Sequence, residues 1–151
     1  MARVDFYHLT RDPTPLVLAR LAERVLSGGD RLCIIAADPA ERAAIDAGLW
    51  SAIPESFLPH PPAGDPLAHG SDEPIVLAER LEGPAPNGAR MVALTGGQWD
   101  DAALTFGRTF FLFDAQQIDD ARSAWRTLSK REGTECHYWK QDDAGRWREG
   151  P

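Results

Sequence analysis

Apolar residues follow two different periods along the chain, and the switch between them predicts alternating strands and helices. Val4–Leu9 alternates at a period of two and is rich in aromatic and β-branched residues, which is typical of a strand. Arg31–Ala36 is almost wholly apolar, as expected of a strand that is covered on both faces. Three later segments are also predicted to be strands: Pro74–Ala78, Arg90–Leu94 and Thr109–Phe113.

Helical spacing separates these strands. We expect the first helix to have Thr14 as its N-cap and to end at Gly28. Two further helical segments are predicted, one from Asp38 to near Gly48 and a short one over Asp100–Phe106.

The longest predicted helix begins after Asp114, runs to about Arg131 and stops at Gly133. Its apolar residues recur at spacings of three and four, so they form one stripe that should face the core. The stripe consists of Ile118, Ala121, Trp125 and Leu128.

Alternating strands and helices are the signature of an α/β domain with a mainly parallel sheet. At the end of the chain, Glu135–Lys140 and Arg146–Arg148 flank a turn and are predicted to form a hairpin. We therefore expect a single α/β domain over residues 1–151, with helices on both faces of the sheet and a C-terminal hairpin. Ligands of such folds usually lie outside the carboxyl ends of the strands.

Composition narrows the class of protein. The 151 residues are 43% hydrophobic and 26% charged, as in ordinary globular domains. The longest apolar run, Leu32–Ala37, is far shorter than the ~20 residues of a membrane-spanning helix, so no membrane span is expected. Cys33 and Cys136 cannot build a disulfide framework, which favours a reduced, cytoplasmic protein.

The charge balance argues against one class of partner. The chain has 16 Lys and Arg against 23 Asp and Glu, which gives a net charge of −7. Proteins that grip a nucleic-acid backbone usually present a basic surface. We therefore expect no strong direct binding to DNA.

The sequence contains none of the common catalytic or cofactor-binding motifs. The segment after the first strand, Leu9–Pro13, lacks the glycines of a nucleotide-binding turn, and no P-loop motif occurs. The histidines are scattered and no Cys-x-x-Cys pair occurs, so no metal site is predicted. We expect a protein without a cofactor and without catalytic activity of its own.

Two segments are unusual. Residues 49–60, Leu-Trp-Ser-Ala-Ile-Pro-Glu-Ser-Phe-Leu-Pro-His, place large apolar side chains in a proline-broken stretch. They either cover the core or form an exposed patch for a protein partner.

On the late helix, Arg122, Arg126 and Lys130 recur every four residues on one face. That face is either simply solvated or attracts an anionic peptide.

Taken together, these residues resemble the chi subunit of bacterial DNA polymerase III. The resemblance covers roughly residues 3 to 140, and its most specific part is the Leu-Trp…Ser-Phe-Leu-Pro-His block. Weaker matches follow in the right order: Phe6-Tyr7-His8-Leu9, Pro74-Ile75-Val76-Leu77, Ala121-Arg122 and Trp125-Arg126.

The resemblance implies a Rossmann-like fold without a nucleotide site and a non-catalytic role in the clamp-loader complex during DNA replication. Chi subunits bind the acidic C-terminal tail of single-stranded DNA-binding protein. They also bind the small psi subunit, which tethers them to the clamp loader. In some bacteria a chi-associated helicase competes with psi for an overlapping surface.

The resemblance also implies two sets of site residues. In the family, the tail is bound by basic residues of the late helix near an apolar pocket, and Arg122, Arg126 and Trp125 match that site. A third basic position of the family is Ile118 in this chain, and Lys130 is expected to substitute in part. The surface for psi or the helicase corresponds to Trp50, Phe57, Pro59 and His60.

Two other functions stay open on the sequence. One is a chi-like adaptor for a repair helicase, for which Trp50 and Phe57 would matter more than the basic helix. The other is a nucleotide- or small-molecule-binding α/β enzyme, which the missing glycine loop disfavours.

Overall fold

The computed structural model describes residues 2–51, 75–81, 85 and 87–150. Seven strands lie within these residues: β1 (Ala2–His8), β2 (Leu32–Ile35), β3 (Ile75–Ala78), β4 (Met91–Leu94), β5 (Arg108–Phe113), β6 (Thr134–Gln141) and β7 (Trp147–Glu149). The α-helices there are α1 (Thr14–Ser27), α2 (Pro39–Ser51) and α3 (Ile118–Ser129), and two 3-10 helices span Asp101–Thr105 and Ala115–Gln117. No helix in this part of the chain is long and apolar enough to cross a bilayer.

The seven strands form one sheet in the order β3-β2-β4-β5-β1-β6-β7. Every neighbouring pair is parallel except β6 and β7, which are antiparallel. The predicted mainly parallel sheet and the predicted C-terminal hairpin are therefore confirmed. Because β1 pairs with β5 on one side and β6 on the other, it lies inside the sheet.

Helices cover both faces of the sheet, as predicted. The α1 and α2 helices pack on one face, where Tyr7 joins their apolar residues in one core cluster. The α3 helix packs on the other face, over Val4 and Phe6. The predicted alternation along β1 thus sends Phe6 toward α3 and Tyr7 toward α1.

Two predicted helix boundaries are wrong by a few residues. Thr14 is the first residue of α1, and Pro13 occupies the N-cap position because its carbonyl accepts the backbone N–H of Leu16 and Val17. Gly48 does not end α2, which continues to Ser51. A Cβ at Gly48 would lie 2.5 Å from Cβ of Pro15, so this glycine permits α1 and α2 to approach closely.

Two other boundaries also differ. The β1 strand starts at Ala2, earlier than predicted, because its pairing with β6 begins at Ala2 opposite Thr134. The long late helix is divided, since the 3-10 helix Ala115–Gln117 precedes α3.

Candidate peptide-binding site

The 3-10 helix that leads into α3 begins with a cap that the sequence encodes. Asp114 Oδ1 accepts a hydrogen bond from the backbone N–H of Gln116 at 2.9 Å. In return, the backbone N–H of Asp114 donates to Gln117 Oε1 at 3.1 Å. The two side chains satisfy donors that would otherwise be unpaired at the helix start. The α3 helix that follows buries three residues against the sheet: Ala121, Ala124 and Leu128.

The predicted apolar stripe of α3 is only partly buried. Ala121 and Leu128 are buried, whereas Ile118 and Trp125 are half-buried at the edge of the core. These two side chains border a cavity of about 250 Å³ between α3 and the sheet. The remaining lining residues are Phe6, Phe113, Ala121, Arg122 and Tyr138.

Aromatic rings form most of this pocket, and they pack edge to face. The Trp125 ring lies 5.1 Å from the Phe6 ring at 74° and 6.2 Å from the Tyr138 ring at 87°. The Phe113 and Tyr138 rings lie 6.1 Å apart. Such contacts add stabilisation beyond the burial of area, so they hold Trp125 in place at the pocket wall. The result is a preformed apolar slot that can accept an aromatic side chain.

His8 supports the wall of the pocket through two of its lining residues, and no local sequence pattern predicts this role. Its Nδ1 lies 3.0 Å from the Tyr138 hydroxyl, and its ring stacks on Phe113 with centroids 5.0 Å apart. The Nε2 atom is buried without a hydrogen-bond partner in the described part of the chain. Burial lowers the pKa of His8, and the positive charges of Lys140 and Arg122 add to that effect, while Asp114 opposes it.

Arg122 brings a cation to the rim of this apolar pocket. Its side chain is exposed, and its charge acts on both His8 and Tyr138. Burial raises the pKa of Tyr138, and Arg122 partly offsets the rise. Among the residues that the structure describes, Arg122 has no carboxylate within 4.0 Å, so its guanidinium is available to an external anion.

The other two predicted cations lie further from the pocket. Arg126 is exposed one turn beyond Arg122, and Lys130 is the C-cap residue after α3. Neither lines the pocket. The structure thus brings Arg122 and Trp125 together, while Arg126 and Lys130 extend the positive face away from the cavity.

The predicted surface for a second partner falls mostly outside the described residues. Phe57, Pro59 and His60 belong to the segment 52–74, which the structure does not describe. Trp50 lies in the last turn of α2, and its neighbour Leu49 is buried in the core. The assignment of these residues to a partner surface stays a prediction.

A wider cleft of about 810 Å³ opens at the carboxyl ends of β2 and β4, where α/β folds usually bind ligands. Its lining includes four carboxylates, Glu79, Asp100, Asp101 and Asp120, and one arginine, Arg80. The excess of negative charge in this lining disfavours phosphate groups. Within residues 2–51, 75–81, 85 and 87–150, no group of three His, Cys, Asp or Glu side chains could hold a metal ion.

Comparison with known proteins assigns the chain to a family. The family model described as "DNA polymerase III chi subunit, HolC" matches residues 1–136. The DNA polymerase III subunit chi of Pseudomonas aeruginosa strain PAO1 is 36% identical over 109 residues, which cover 62% of this chain and 77% of that protein. Among solved structures, the C-terminal domain of a SWI2/SNF2 ATPase from Sulfolobus solfataricus aligns at 15% identity with a TM-score of 0.45. That alignment covers 76% of this chain and 57% of the ATPase domain, so the chain spans little more than half of it. Because the family model covers nearly all of the sequence, the chain belongs to the family of DNA polymerase III chi subunits.

Proposed function

We propose that this chain is a non-catalytic accessory subunit of DNA polymerase III that links the clamp loader to single-stranded DNA-binding protein in the cytoplasm. It makes this link by binding the acidic C-terminal tail of that protein. The observation that carries the proposal is the apolar pocket beside the unpaired guanidinium of Arg122.

The chemistry of the pocket suits such a tail. An acidic peptide that ends in an aromatic residue needs an apolar slot for its ring and a cation for its carboxylates. The slot between Trp125, Phe6 and Tyr138 provides the first, and Arg122 provides the second. A guanidinium can hold a carboxylate through two parallel hydrogen bonds. Arg126 and Lys130 supply further positive charge for acidic residues upstream in the tail.

The interaction is expected to be modest and sensitive to salt. Exposed charges are screened over about 8 Å at physiological ionic strength, and Arg122 is exposed. The contact of the aromatic ring with the pocket depends far less on salt, because it is apolar. Raising the salt concentration should therefore weaken binding without abolishing it.

A titration with a fluorescent peptide of that tail tests the proposal. Anisotropy would be measured for the natural chain, for Arg122→Ala/Arg126→Ala, for Trp125→Ala and for the control Arg90→Ala, which removes an exposed cation outside the site. We expect the double variant to weaken binding roughly two- to thirtyfold, since each exposed ion pair contributes roughly 0.2–1 kcal/mol. Absence of saturable binding by the folded natural chain, or an equal loss in Arg90→Ala, would contradict the proposal.

The second part of the proposal concerns a protein partner at residues 49–60. We expect Trp50, Phe57, Pro59 and His60 to contact psi or a chi-associated helicase, and so to connect the chain to the clamp loader or to a repair helicase. Co-purification of the tagged chain from cells, compared with Trp50→Ala/Phe57→Ala, identifies that partner. Retention of every partner by a folded double variant would exclude this surface.

A further inference from the structure

A second groove lies on the opposite face of the sheet, between α1 and the C-terminal hairpin. Its volume is about 460 Å³. We call it the basic groove, and its defining residues are Tyr7, Arg20, Arg24, Trp139, Arg146 and Trp147. Its lining thus combines three arginines with three aromatic rings and includes no carboxylate. This lining contrasts with the net charge of −7 of the whole chain.

The hairpin wall of the groove is held in place by a buried polar contact. Gln141 is 5% exposed, and its Nε2 donates to Asp12 Oδ2 at 2.8 Å. Its Oε1 accepts the backbone N–H of Asp12 at 3.2 Å. At the hairpin turn, Asp142 Oδ1 accepts the backbone N–H of Arg146 at 2.9 Å. The position of the Arg146 backbone beside α1 is therefore fixed by hydrogen bonds.

The aromatic rings of the groove are also held in fixed positions. The Tyr7 ring stacks near Trp139, with centroids 6.4 Å apart at 15°, and meets Trp147 edge to face at 4.9 Å. Trp139 Nε1 donates to Asp5 Oδ1 at 3.0 Å. Trp139 and Trp147 are half-buried and line the groove, so part of each indole is accessible for stacking by another planar group.

Two of the three arginines are available to a ligand. Arg20 is engaged by Asp12 at 3.2 Å. Neither Arg24 nor Arg146 has a carboxylate within 4.0 Å in the described residues, and both side chains are exposed. The positive charge of Arg24 acts on Tyr7, so this cation lies close to the aromatic rings.

We propose that the basic groove binds single-stranded DNA, with bases stacked on the indoles and phosphates at Arg24 and Arg146. Flat aromatic rings interleaved with cations are the usual means of binding single strands without sequence preference. The acidic remainder of the chain opposes any wider contact with the phosphate backbone, so the proposed contact is limited to the phosphates at Arg24 and Arg146.

This site is independent of the proposed tail-binding site. The two cavities lie on opposite faces of the sheet and share no lining residue. Trp139, Arg146 and Trp147 also lie beyond residue 136, where the match to the family model ends. The proposal therefore goes beyond the function proposed above, and the two can fail separately.

Anisotropy of a fluorescent 12-nucleotide oligothymidylate, titrated at low salt, tests the proposal. The full natural chain would be compared with Arg24→Glu/Arg146→Glu and with Arg90→Glu/Arg131→Glu, a control that reverses two exposed charges outside the groove. A third variant, Trp147→Ala, removes a stacking ring, and Trp147→Phe restores an aromatic ring. Circular dichroism would confirm that each variant is folded.

We expect the groove variant to weaken binding at least about tenfold and the control variant to change it less than about threefold. Loss of one stacked base should weaken binding roughly five- to a hundredfold in Trp147→Ala, with partial recovery in Trp147→Phe. With phosphates at two arginines, Arg24 and Arg146, the slope of log K against log salt should be about −1.4. Arg122→Ala/Arg126→Ala should bind the oligonucleotide normally, which separates this site from tail binding.

Three results would overturn the proposal. The first is no saturable binding by the folded natural chain. The second is an equal loss of oligonucleotide affinity in the groove and control variants, which would indicate non-specific electrostatic binding to the protein surface. The third is binding of an acidic, aromatic peptide in this groove, lost in Arg24→Glu/Arg146→Glu and not displaced by the oligonucleotide.

Discussion

The hydroxyl of Tyr138 on β6 lies 3.0 Å from Nδ1 of His8 on β1, although the two residues are 130 positions apart in the sequence. This contact orients the Tyr138 ring at the wall of the apolar pocket. His8 is 7% exposed, so its ring is desolvated and its pKa lies below the ordinary value. The positive charges of Lys140 and Arg122 lower that pKa further, and the negative charge of Asp114 raises it. The pocket therefore rests on a histidine that favours its neutral form.

The free energy of unfolding should fall as the pH drops below about 6.5, in part because of His8. The unfolded chain binds a proton at His8 near that pH, whereas the folded chain resists it until the pH is lower. His8→Gln should reduce this loss of stability between pH 7 and pH 5, which urea unfolding at each pH would show. An unchanged pH dependence in a folded His8→Gln variant would contradict the lowered pKa.

His137 provides a control for His8, because its pKa is shifted in the opposite direction. The hydrogen bond with Glu149 raises the pKa of His137, burial opposes the rise, and Glu135 adds to it. A raised pKa in the folded state contributes stability that is present below about pH 6.5 and is lost as the pH rises through the folded pKa. His137→Gln should therefore cost more stability at pH 5.5 than at pH 8, and urea unfolding at both values would measure the difference.

Asp5 should be among the most costly charged residues to replace. Its side chain is fully buried and accepts hydrogen bonds from Arg3, Arg108 and Trp139. Burial raises the pKa of this carboxyl, but the three hydrogen bonds outweigh that effect and hold the pKa below its usual range. Asp5→Asn should lower the free energy of unfolding by about 3 kcal/mol at pH 7, because two partly buried arginines lose their charged acceptor.

The matched control for Asp5→Asn is Asp143→Asn, since Asp143 is exposed in the hairpin turn. Urea unfolding should place the control within about 0.5 kcal/mol of the natural chain. The contribution of Asp5 is present above about pH 4 and is lost as the pH falls through its lowered folded pKa. Equal stability of the two variants at pH 7 would contradict the stabilising role of this buried cluster.

The order of helices and strands could be predicted because it depends on local patterns. The alternation along Val4–Leu9 and the apolar run of Arg31–Ala36 each identify a strand without knowledge of its neighbours. The same holds for Asp114 as a capping residue, which needs only Gln116 and Gln117 nearby. Elements defined by such short segments were therefore predicted to within a few residues.

The remaining features of the fold and of the site depend on contacts between residues that are distant in the sequence. No local sequence pattern indicates such contacts. Gly48 has the sequence context of a helix end, but it is required by the approach of Pro15 on another helix. The spacing along α3 identifies Arg122 and Trp125 as neighbours, but not that Phe6, Phe113 and Tyr138 complete a pocket beside them. That pocket follows from the strand order β5-β1-β6, which the sequence pattern does not specify.

The backbone conformation at position 97 and the contact with a neighbouring side chain both require a glycine there. Its φ is +68°, and a Cβ at this position would lie 2.5 Å from Cβ of Gln117, the residue that completes the cap before α3. Gly96 has a similar φ of +73° but open space around the corresponding position. Gly96→Ala should cost about 1 kcal/mol for the left-handed conformation alone, and Gly97→Ala about 3 kcal/mol because the cap must also shift.

Thermal or urea unfolding of both glycine variants measures this difference directly. The comparison isolates the steric contact, since the two substitutions add the same methyl group in nearly the same backbone conformation. Similar costs for Gly96→Ala and Gly97→Ala would show that the contact with Gln117 is relieved without loss of stability.

Ile118 offers a test of how much charge and apolar contact each contribute to peptide binding at the α3 pocket. It lines the cavity at a position where the family resemblance expects a basic residue. Ile118→Lys should strengthen binding of an acidic tail peptide up to about fivefold at low salt, because a rim ion pair contributes roughly 0.2–1 kcal/mol. Ile118→Gln, which loses the same apolar contact without adding charge, should weaken binding instead. Anisotropy at 50 and 300 mM salt would separate the two effects, since the advantage of the lysine should shrink at the higher value. If Ile118→Lys bound the peptide no better than Ile118→Gln at low salt, the tail would not pass this end of α3.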